Sequence, residues 1–402
     1  MKLLLIKAGK AFKTIQRDGI LHGGKRVFSA FFAMFAFVGK GQILFVTGGV
    51  GDSARYRTAH VSEELELNGF ACSVTIQDNP FLTKYVDKFE VFVFHRVLFT
   101  PSVKKMIAKI KEQGKEIVFE TDDLVYDPKY LEHMDYFKVM NSLEKKLYEN
   151  GVGGEILSDE YVKVCTTTTN FLADKLREHG KKVFVVPNKL CKEDVETAEK
   201  ILKNKNNSSK NIQNSKFKIQ NSIRLGYFSG ALSHNKDFAT ITGALMQIME
   251  KHQQVELFLV GPLDLESELN KFGSRIKQLP YVTRQKHFEN VASVDINIAP
   301  LEIDNPFCQS KSELKFFEAG IVGVPTIAAA TNPFLEAIAD GADGFVANGQ
   351  EQWTQKLEKL ILDEKLRESM GKLAREKALA KYTTENASNE EYYNFLRSKI
   401  NN

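Results

Sequence analysis

Three charged residues recur at helical spacing in the segment 305–330, which reads NPFCQSKSELKFFEAGIVGVPTIAAA. Lys311, Lys315 and Glu318 therefore share one face of a predicted helix, or nearly so. Lysines at a helix start can neutralise a diphosphate, and a glutamate one or two turns later can accept two ribose hydroxyls. The alternative is an ordinary surface helix with an i, i+4 salt bridge.

A glycine-rich turn carries a second candidate phosphate site. Residues 49–54 read GVGDSA, which fits G-x-G-x-x-A between a predicted strand and a predicted helix, and Asp78 follows the next strand. This pattern is typical of dinucleotide binding, although helix-start N–H groups also bind other diphosphates and any tight turn favours glycine. Arg55 and Arg57 follow on the same helix start, where they suit a phosphate or a carboxylate; a solvated face is the alternative.

Polar residues end two further predicted strands. His95 and Arg96 follow the apolar run VFVF, and Asp122 and Asp123 lie in the sequence ETDD at the end of the next strand. Ligands of open parallel sheets bind beyond the carboxyl ends of the strands, so these side chains are candidates for binding sugar hydroxyls or a cation. A packed histidine is the alternative at His95. No D-x-D occurs in the chain, which weakens a metal-dependent, single-domain type of sugar transferase.

The elements that must position these residues are short β-branched runs alternating with helical patterns, which predict βαβ units and parallel sheets. A length of 402 residues and an apolar content of 43% predict two α/β domains. The predicted strands of the first half are 43–47, 71–76, 90–95, 116–120, 162–166 and 183–187. Those of the second half are 223–228, 255–260, 294–300, 324–328 and 344–346, and the chain ends in helices.

The first 40 residues contain eight Lys or Arg and one acid, Asp18, so they carry +7 on a chain of net charge +4. Residues 27–38 form an apolar run of 12, whereas a membrane-spanning helix needs roughly 20. We expect an interfacial or core-packed helix whose Phe and basic residues suit an anionic membrane surface; a signal peptide is the alternative. Four distant cysteines indicate reduced thiols in a cytoplasmic protein, peripheral at most to the inner membrane face.

Residues 203–222 interrupt the alternation between the two halves. They are polar and contain IQNS twice. Such a composition cannot bury a core, and it predicts a disordered insert or linker.

The segment 305–330 resembles the donor-binding signature of glycosyltransferase family 4 within the GT-B fold, one subgroup of which reads K-S-x-x-K-x-x-E-[AY]-x-x-x-G-V-P. The resemblance covers about residues 41–395. Further similar segments are 51–57, 120–123, 165–188, 225–238, 257–262 and 294–300. It implies retaining transfer of a sugar from a nucleotide-diphosphate donor to a glycan, lipid or similar acceptor, in polysaccharide or glycoconjugate biosynthesis.

The resemblance also implies two Rossmann-like domains whose parallel sheets face a central cleft. It divides the chain into a basic segment 1–40, an acceptor domain 41–195, a linker 196–222, a donor domain 223–380 and a helix 381–402 that crosses back. Catalytic roles fall to His95, Lys236 and Lys311. Donor binding falls to Gly49, His234, Lys236, Lys311, Lys315 and Glu318, and acceptor binding to Arg57, Asp122 and Asp123. The scheme requires no metal, no resident cofactor beyond the nucleotide sugar, and no nucleic acid.

Two departures from the family pattern keep other functions open. Ser310 occupies the position of the first of two family glutamates, and residues 230–232 read GAL where GRL is common. The resemblance then implies that His234, Lys236, Lys311 and Lys315 replace the usual contacts to the donor sugar and phosphates. A catalytically silent sugar-binding scaffold is one alternative, and a nicotinamide oxidoreductase using residues 49–54 and Asp78 is the other.

Overall fold

The computed structural model describes residues 9, 24, 27–28, 31–134, 137, 140–212, 222–230 and 235–400. The chain divides into two compact units. The first unit comprises residues 1–189 and 387–402, and the second comprises residues 190–386. Each unit is built on a six-stranded sheet, and all neighbouring strands run parallel. The predicted α/β class with two parallel sheets is therefore confirmed.

The strands of the first unit agree with the predicted ones to within two residues at each end. They are β1 (Ile43–Thr47), β2 (Cys72–Ile76), β3 (Val91–His95), β4 (Glu116–Thr121), β5 (Val164–Thr167) and β6 (Lys182–Val185). Their order in the sheet is β2-β1-β3-β4-β5-β6. The strands β1 and β3 are buried along their whole length, which explains why their sequences are almost continuously apolar.

The helix that follows β1, here called α1, changes its winding in the middle. It begins α-helical at Asp52–Ala54, continues π-helical over Arg55–His60 and ends α-helical at Val61–Leu67. Single π-helical turns inside α-helices are frequent at functional sites. The other helices of this half are α2 (Leu82–Tyr85), α3 (Pro101–Glu112), α4 (Ser142–Lys145), α5 (Gly154–Leu157) and α6 (Asn170–Arg177). Short 3₁₀ turns lie at Val86–Lys88, Leu124–Tyr126, Pro128–His133 and Lys146–Tyr148.

The second unit repeats the parallel architecture. Its strands are β7 (Ile223–Phe228), β8 (Val255–Val260), β9 (Ile276–Leu279), β10 (Ile296–Ala299), β11 (Thr326–Ala329) and β12 (Phe345–Ala347). Their order is β12-β11-β10-β7-β8-β9. Strand β9 was not predicted, because this edge strand reads IKQL and is mostly exposed, so it lacks the apolar run of a central strand.

The second unit begins and ends with a helix, and further helices connect its strands. They are α7 (Lys192–Ile212), α8 (Asn235–Ala239), α9 (Thr242–Lys251), α10 (Arg284–Ala292), α11 (Pro306–Ser310), α12 (Leu314–Ile321), α13 (Asn332–Ala337), α14 (Gly349–Leu362) and α15 (Glu364–Lys381). A 3₁₀ segment spans Ser267–Arg275. The last helix of the chain, α16 (Glu390–Ile400), belongs to the first unit. There Tyr392, Tyr393 and Leu396 join the apolar core formed by the strands.

Helix α7 corrects the predicted linker. We expected a linker over 196–222, but α7 is helical through Ile212, so that prediction is wrong for 196–212. Ala198 is fully buried, and Lys205 Nζ donates to the carbonyl of Ala292 at 3.1 Å. Once its first turns are packed, a helix propagates through polar residues at little cost. Residues 213–221 lie outside the described part of the chain.

The helical segment at 306–321 also differs from the prediction. Helix α11 ends at Ser310, Lys311 is extended with ψ 135°, and α12 begins at Leu314. Lys315 and Glu318 therefore share one helix, whereas Lys311 lies between two helices. At the end of α11, Ser310 Oγ donates to the carbonyl of Phe307 at 2.8 Å.

Only part of the basic N-terminal segment is described. In that part the side chains of Phe28, Phe31, Phe32, Phe35 and Phe37 expose between 53% and 91% of their surface. Among the described residues, no helix is both long and apolar enough to span a membrane. None of the four cysteines, all of which lie in the described part, forms a disulfide.

Candidate functional site

The first unit has a cavity of about 250 Å³ at the carboxyl ends of β1 and β3. These strands are neighbours in the sheet, yet the chain leaves β1 for β2 on the other side, which makes this edge a topological switch point. Ligands of open α/β sheets bind at such points. We call this cavity the first-unit pocket. Its lining includes the turn 48–51, Ser53, His95, Arg96 and Tyr148.

Gly48 and Arg96 show how closely the two strand ends approach. A Cβ on Gly48 would lie 1.9 Å from the carbonyl oxygen of Arg96, so only glycine fits there. Arg96 has φ 47°, in the left-handed region that costs a non-glycine residue roughly 1–2 kcal/mol. Its guanidinium donates to Asp122 and Asp123, and these two ion pairs hold the strained backbone in place.

His95 is the centre of a hydrogen-bonded cluster in this pocket. The residue is 2% exposed, and its Nδ1 lies 3.0 Å from Thr47 Oγ1. Its Nε2 lies 3.2 Å from Ser53 Oγ and 3.3 Å from Asp122 Oδ1. Ser53 also donates to Asp122 Oδ2 at 2.8 Å. The imidazole is therefore fixed by polar partners from three elements and is not packed among apolar side chains.

The adjacent carboxylates Asp122 and Asp123 are in different electrostatic states. Burial opposes ionisation of Asp122, but Arg96 and hydrogen bonds from His95 and Ser53 outweigh it and hold its pKa well below the ordinary range. Burial raises the pKa of Asp123, and the negative charge of Asp122 adds to that rise, while Arg96 opposes it. Asp122 is the stable anion of the pair, suited to accept hydrogen bonds from ligand hydroxyls.

Arg57, predicted to contact the acceptor, lies inside the first unit and is not among the residues that line its pocket. The residue is 1% exposed, and its guanidinium donates to both carboxylate oxygens of Glu120 on β4. Its Nη1 also donates to the Val186 carbonyl and to Asn188 Oδ1. All of its nitrogens are used inside the unit, and the π-helical turn of α1 places it there. The neighbouring Arg55 pairs with Asp52 on the surface.

The second unit has its own switch point, between β7 and β10. Asp237 of α8, 2% exposed, lies beside it and binds Lys311: Asp237 Oδ2 lies 3.1 Å from Lys311 Nζ. Asp237 Oδ1 accepts from Cys308 Sγ at 3.1 Å and from the backbone N–H of Glu302 at 3.3 Å. This cluster anchors the Lys311 ammonium.

The same carboxylates and thiol could in principle hold a metal ion. Ligand atoms of Asp237, Glu302 and Cys308 lie within 4.8 Å of one another. However, burial raises the pKa of the Cys308 thiol, and metals bind the thiolate. Lys311 already supplies a cation to Asp237, so the donor set fits a lysine better than a metal.

Lys315 and Glu318 project from the same helix, α12. Lys315 is half-buried, and its Nζ lies 5.8 Å from the ring centroid of Tyr227. Burial and the charge of Lys311 lower the pKa of Lys315, which Glu318 and Asp237 partly offset. Its ammonium is thus poorly solvated and suited to an anionic ligand.

Glu318 is held by two donors of α10. Its carboxylate oxygen Oε1 accepts from Arg284, and Oε2 lies 3.1 Å from His287 Nε2. The residue is 9% exposed. It is therefore an organised carboxylate and not a solvated member of a surface salt bridge.

The remaining predicted site residues fall in different places. Gly49 is exposed in the turn that lines the first-unit pocket, so it lies in a different unit from the other donor residues. Lys236 is exposed on α8, and His234 lies outside the described residues. Ser310, where the family pattern has a glutamate, is fully buried.

Residues 209–377, which contain Asp237, Lys311, Lys315 and Glu318, match the family model described as glycosyl transferases group 1. This stretch is therefore similar to a group 1 glycosyl transferase domain. No curated protein matches the sequence significantly.

Solved structures with the same fold cover both units of this chain. HepE of Anabaena, solved with UDP and glucose, has a TM-score of 0.58 at 14% identity, over 89% of this chain and all of its own. Sucrose-phosphate synthase of Thermosynechococcus elongatus has 0.58 at 13% over the same shares. A glycosyltransferase of Rickettsia africae has 0.59 at 14%, over 91% of this chain and all of its own. These similarities identify the fold as GT-B, the fold that the sequence predicted.

Three residues that organise the candidate site in the second unit were not predicted from the sequence. Asp237 follows a proposed phosphate lysine, and Arg284 and His287 lie in the ordinary polar helix start RQKH. No spacing rule links Asp237 to Lys311, or Arg284 to Glu318, because 74 and 34 positions separate the partners. The one weak signal was that Asp237 lies in the segment that follows the predicted strand 223–228; Arg284 and His287 follow β9, which the sequence did not predict.

Proposed function

We propose that this glycosyltransferase moves a sugar from a nucleoside-diphosphate donor to a glycan or lipid-linked acceptor, as a member of family 4. The single observation that carries the proposal is the arrangement of Lys311, Lys315 and Glu318 in the domain that matches the group 1 model. Two ammonium groups beside one organised carboxylate complement a diphosphate joined to a ribose. The reaction would serve polysaccharide or glycoconjugate synthesis.

In the donor site, the second unit holds the nucleotide. Lys311 and Lys315, with Lys236 from α8, bind the phosphates, and Glu318 accepts hydrogen bonds from the ribose hydroxyls. The poor solvation of Lys315 strengthens its attraction to phosphate, since little hydration is lost when the ligand binds. As the sugar leaves, negative charge grows on the diphosphate, and these fixed cations stabilise it.

In this proposal, the first-unit pocket binds the acceptor and contacts the transferred sugar. Asp122 accepts a hydrogen bond from an acceptor hydroxyl, and His95 contacts the transferred sugar. Its volume of about 250 Å³ suits one sugar ring, with Tyr148 and Val152 offering apolar contact. The anomeric configuration is retained in this scheme, and the departing diphosphate takes the acceptor proton. The protein supplies positioning and charge neutralisation.

A donor screen tests the function. HepE was solved with UDP and with UDP-glucose, so UDP-glucose is the first donor to try, followed by ADP- and GDP-sugars. We expect one nucleotide family to raise the melting temperature and its sugar to be released in the presence of an acceptor mixture. Nucleotide binding without release or transfer from any donor would favour the silent scaffold, for which the buried Ser310 is the motivating observation. Stabilisation by NADH alone would favour the oxidoreductase.

We further propose that residues 1–40 bind an anionic membrane surface. The five exposed Phe side chains between 28 and 37 supply apolar area, and the +7 charge supplies attraction to acidic lipids. Sedimentation with phosphatidylglycerol vesicles should capture the full chain at low salt, and neither a 41–402 truncation nor a variant with all five Phe changed to Ser. Equal sedimentation of all three proteins would exclude the segment as the anchor.

A further inference from the structure

One guanidinium in the second unit engages two carboxylates with all three of its nitrogen atoms. Arg284, the first residue of α10, donates from Nε and Nη2 to the two oxygens of Asp194, each at 2.9 Å. Its Nη1 donates to Glu318 Oε1. Asp194 lies on α7 and Glu318 on α12, so Arg284 connects three helices of the unit.

The surroundings of Arg284 leave it little freedom. The side chain of Asp194 is 4% exposed and that of Arg284 is 19% exposed. The guanidinium carbon lies 4.6 Å from the centroid of the fully buried Phe288 ring. A planar fork with two parallel hydrogen bonds to one carboxylate has a fixed orientation, which lysine cannot reproduce. The third nitrogen is therefore aimed at Glu318 by Asp194.

Contacts to both of its oxygens fix the orientation of the Glu318 carboxylate. An ionised carboxylate has about four acceptor positions, two on each oxygen. Arg284 uses one on Oε1, and His287 Nε2, 3.1 Å away, takes one on Oε2. These two contacts, one on each oxygen, set the plane in which the carboxylate is presented to a ligand.

We infer that Arg284 is a positioning residue for nucleotide binding, which orients the Glu318 carboxylate toward the ribose 2′- and 3′-hydroxyls, and that Asp194 in turn orients Arg284. The inference rests on the proposed function, in which Glu318 binds the ribose. In this arrangement Asp194 of α7 holds Arg284 of α10, and Arg284 holds Glu318 of α12, which contacts the ribose. It explains why a carboxylate that must bind a ligand is already paired with an arginine.

Arg284→Lys tests the relay, because it keeps the charge and removes the fork. Arg375→Lys is a matched control in the same unit. Arg375 also connects α7 to α12, since it donates to Glu199 and to the Ile321 carbonyl, and its side chain is 22% exposed. It does not contact Glu318 among the described hydrogen bonds. Asp194→Asn is the second test variant, which leaves Arg284 in place but weakens its anchor.

The measurement is the ratio of dissociation constants for 2′,3′-dideoxy-UDP and UDP, by calorimetry on the full chain. We expect the wild type and Arg375→Lys to favour UDP by roughly tenfold or more. Arg284→Lys and Asp194→Asn should bring that ratio toward one by weakening UDP while leaving the dideoxy nucleotide unchanged. A merely structural arginine would weaken both nucleotides equally.

Two outcomes overturn the inference in distinguishable ways. A wild-type ratio that persists in Arg284→Lys and Asp194→Asn shows that Glu318 needs no relay, while the ribose contact stands. A ratio near one in the wild type, or no binding of UDP, ADP or GDP, shows that the proposed ribose contact itself is absent.

Discussion

Arg57 and Glu120 form a two-point ion pair inside the first unit, with Nε 2.8 Å from Oε1 and Nη2 3.0 Å from Oε2. Their side chains are 0% and 3% exposed. Thr166 of β5 also donates to Glu120, so the carboxylate joins α1 to the middle of the sheet. Removing one partner of such a buried ion pair leaves the other charge without compensation and destabilises the folded protein.

Removing the arginine should therefore destabilise the protein. Arg57→Met keeps most of the volume but leaves Glu120 as a buried, uncompensated charge, and we expect a loss of about 3–5 kcal/mol in the free energy of unfolding. Arg55→Met, two residues earlier in α1, removes only a surface pair with Asp52 and should cost at most about 1 kcal/mol. Denaturant unfolding compares the two variants. Equal losses would show that the buried pair contributes nothing beyond its surface neighbour.

Glu318 gives the second prediction. Glu318→Gln keeps the size and one acceptor oxygen, so melting should stay within a few degrees of wild type. The charge-assisted bonds to ribose become neutral ones, and nucleoside-diphosphate affinity should fall on the order of tenfold. Glu336→Gln, on the exposed face of α13, is the control and should leave affinity unchanged. If titration with UDP gives the same affinity for all three proteins, Glu318 does not contact the nucleotide.

Most strands could be predicted from the sequence, because a strand of a parallel sheet that is buried on both faces requires a run of apolar residues. β1, β7 and β8 have the predicted bounds. β9 was not accessible, since an exposed edge strand carries polar residues and has no such requirement. The turn 49–54 and His95 could be singled out because ligands of open parallel sheets bind beyond the strand ends, and the first-unit pocket is lined by His95 and by residues of this turn.

Long-range pairings were not accessible. Nothing local in the sequence distinguishes Arg57, which is buried, from Arg55, which is on the surface, because both lie in the π-helical segment Arg55–His60, which has no simple sequence signature. Asp194 lay in a stretch adjoining the expected linker, yet it is 3% exposed and anchors Arg284. Such contacts depend on which helices the fold brings together, and one sequence does not encode that in its spacing.

Lys315 gives a prediction in which stability and binding change in opposite directions. Burial, aided by Lys311, lowers its pKa, so the folded protein binds this proton less tightly than the unfolded chain does. The charge therefore costs stability at neutral pH, and wild-type stability should rise as pH increases from the folded pKa toward the ordinary value of about 10.4. Lys315→Met should melt higher than wild type at pH 7 and lack that rise.

The same substitution removes a phosphate contact, so UDP affinity should fall on the order of tenfold. Lys286→Met, an exposed lysine of α10 paired with Glu289, is the control and should change neither quantity measurably. A melting temperature for Lys315→Met at or below wild type, together with unchanged affinity, would mean that the ammonium is neither desolvated nor used for the donor.

Asp122 in the first unit should affect sugar transfer without affecting nucleotide binding, which we place in the second unit. Asp122 accepts from Ser53, His95 and Arg96, three residues that line the first-unit pocket, whereas the proposed nucleotide residues all lie in the second unit. Asp122→Asn keeps the shape but replaces an anion with a neutral amide, and one charge-assisted hydrogen bond is worth roughly 1.5–3 kcal/mol. Transfer to acceptor, measured as kcat/KM, should fall by about tenfold or more, while the UDP dissociation constant stays at the wild-type value. Asp52→Asn, at the start of α1 and 49% exposed, should preserve both. Loss of UDP binding in Asp122→Asn would show that this carboxylate serves the donor, and undiminished transfer would remove it from the acceptor site.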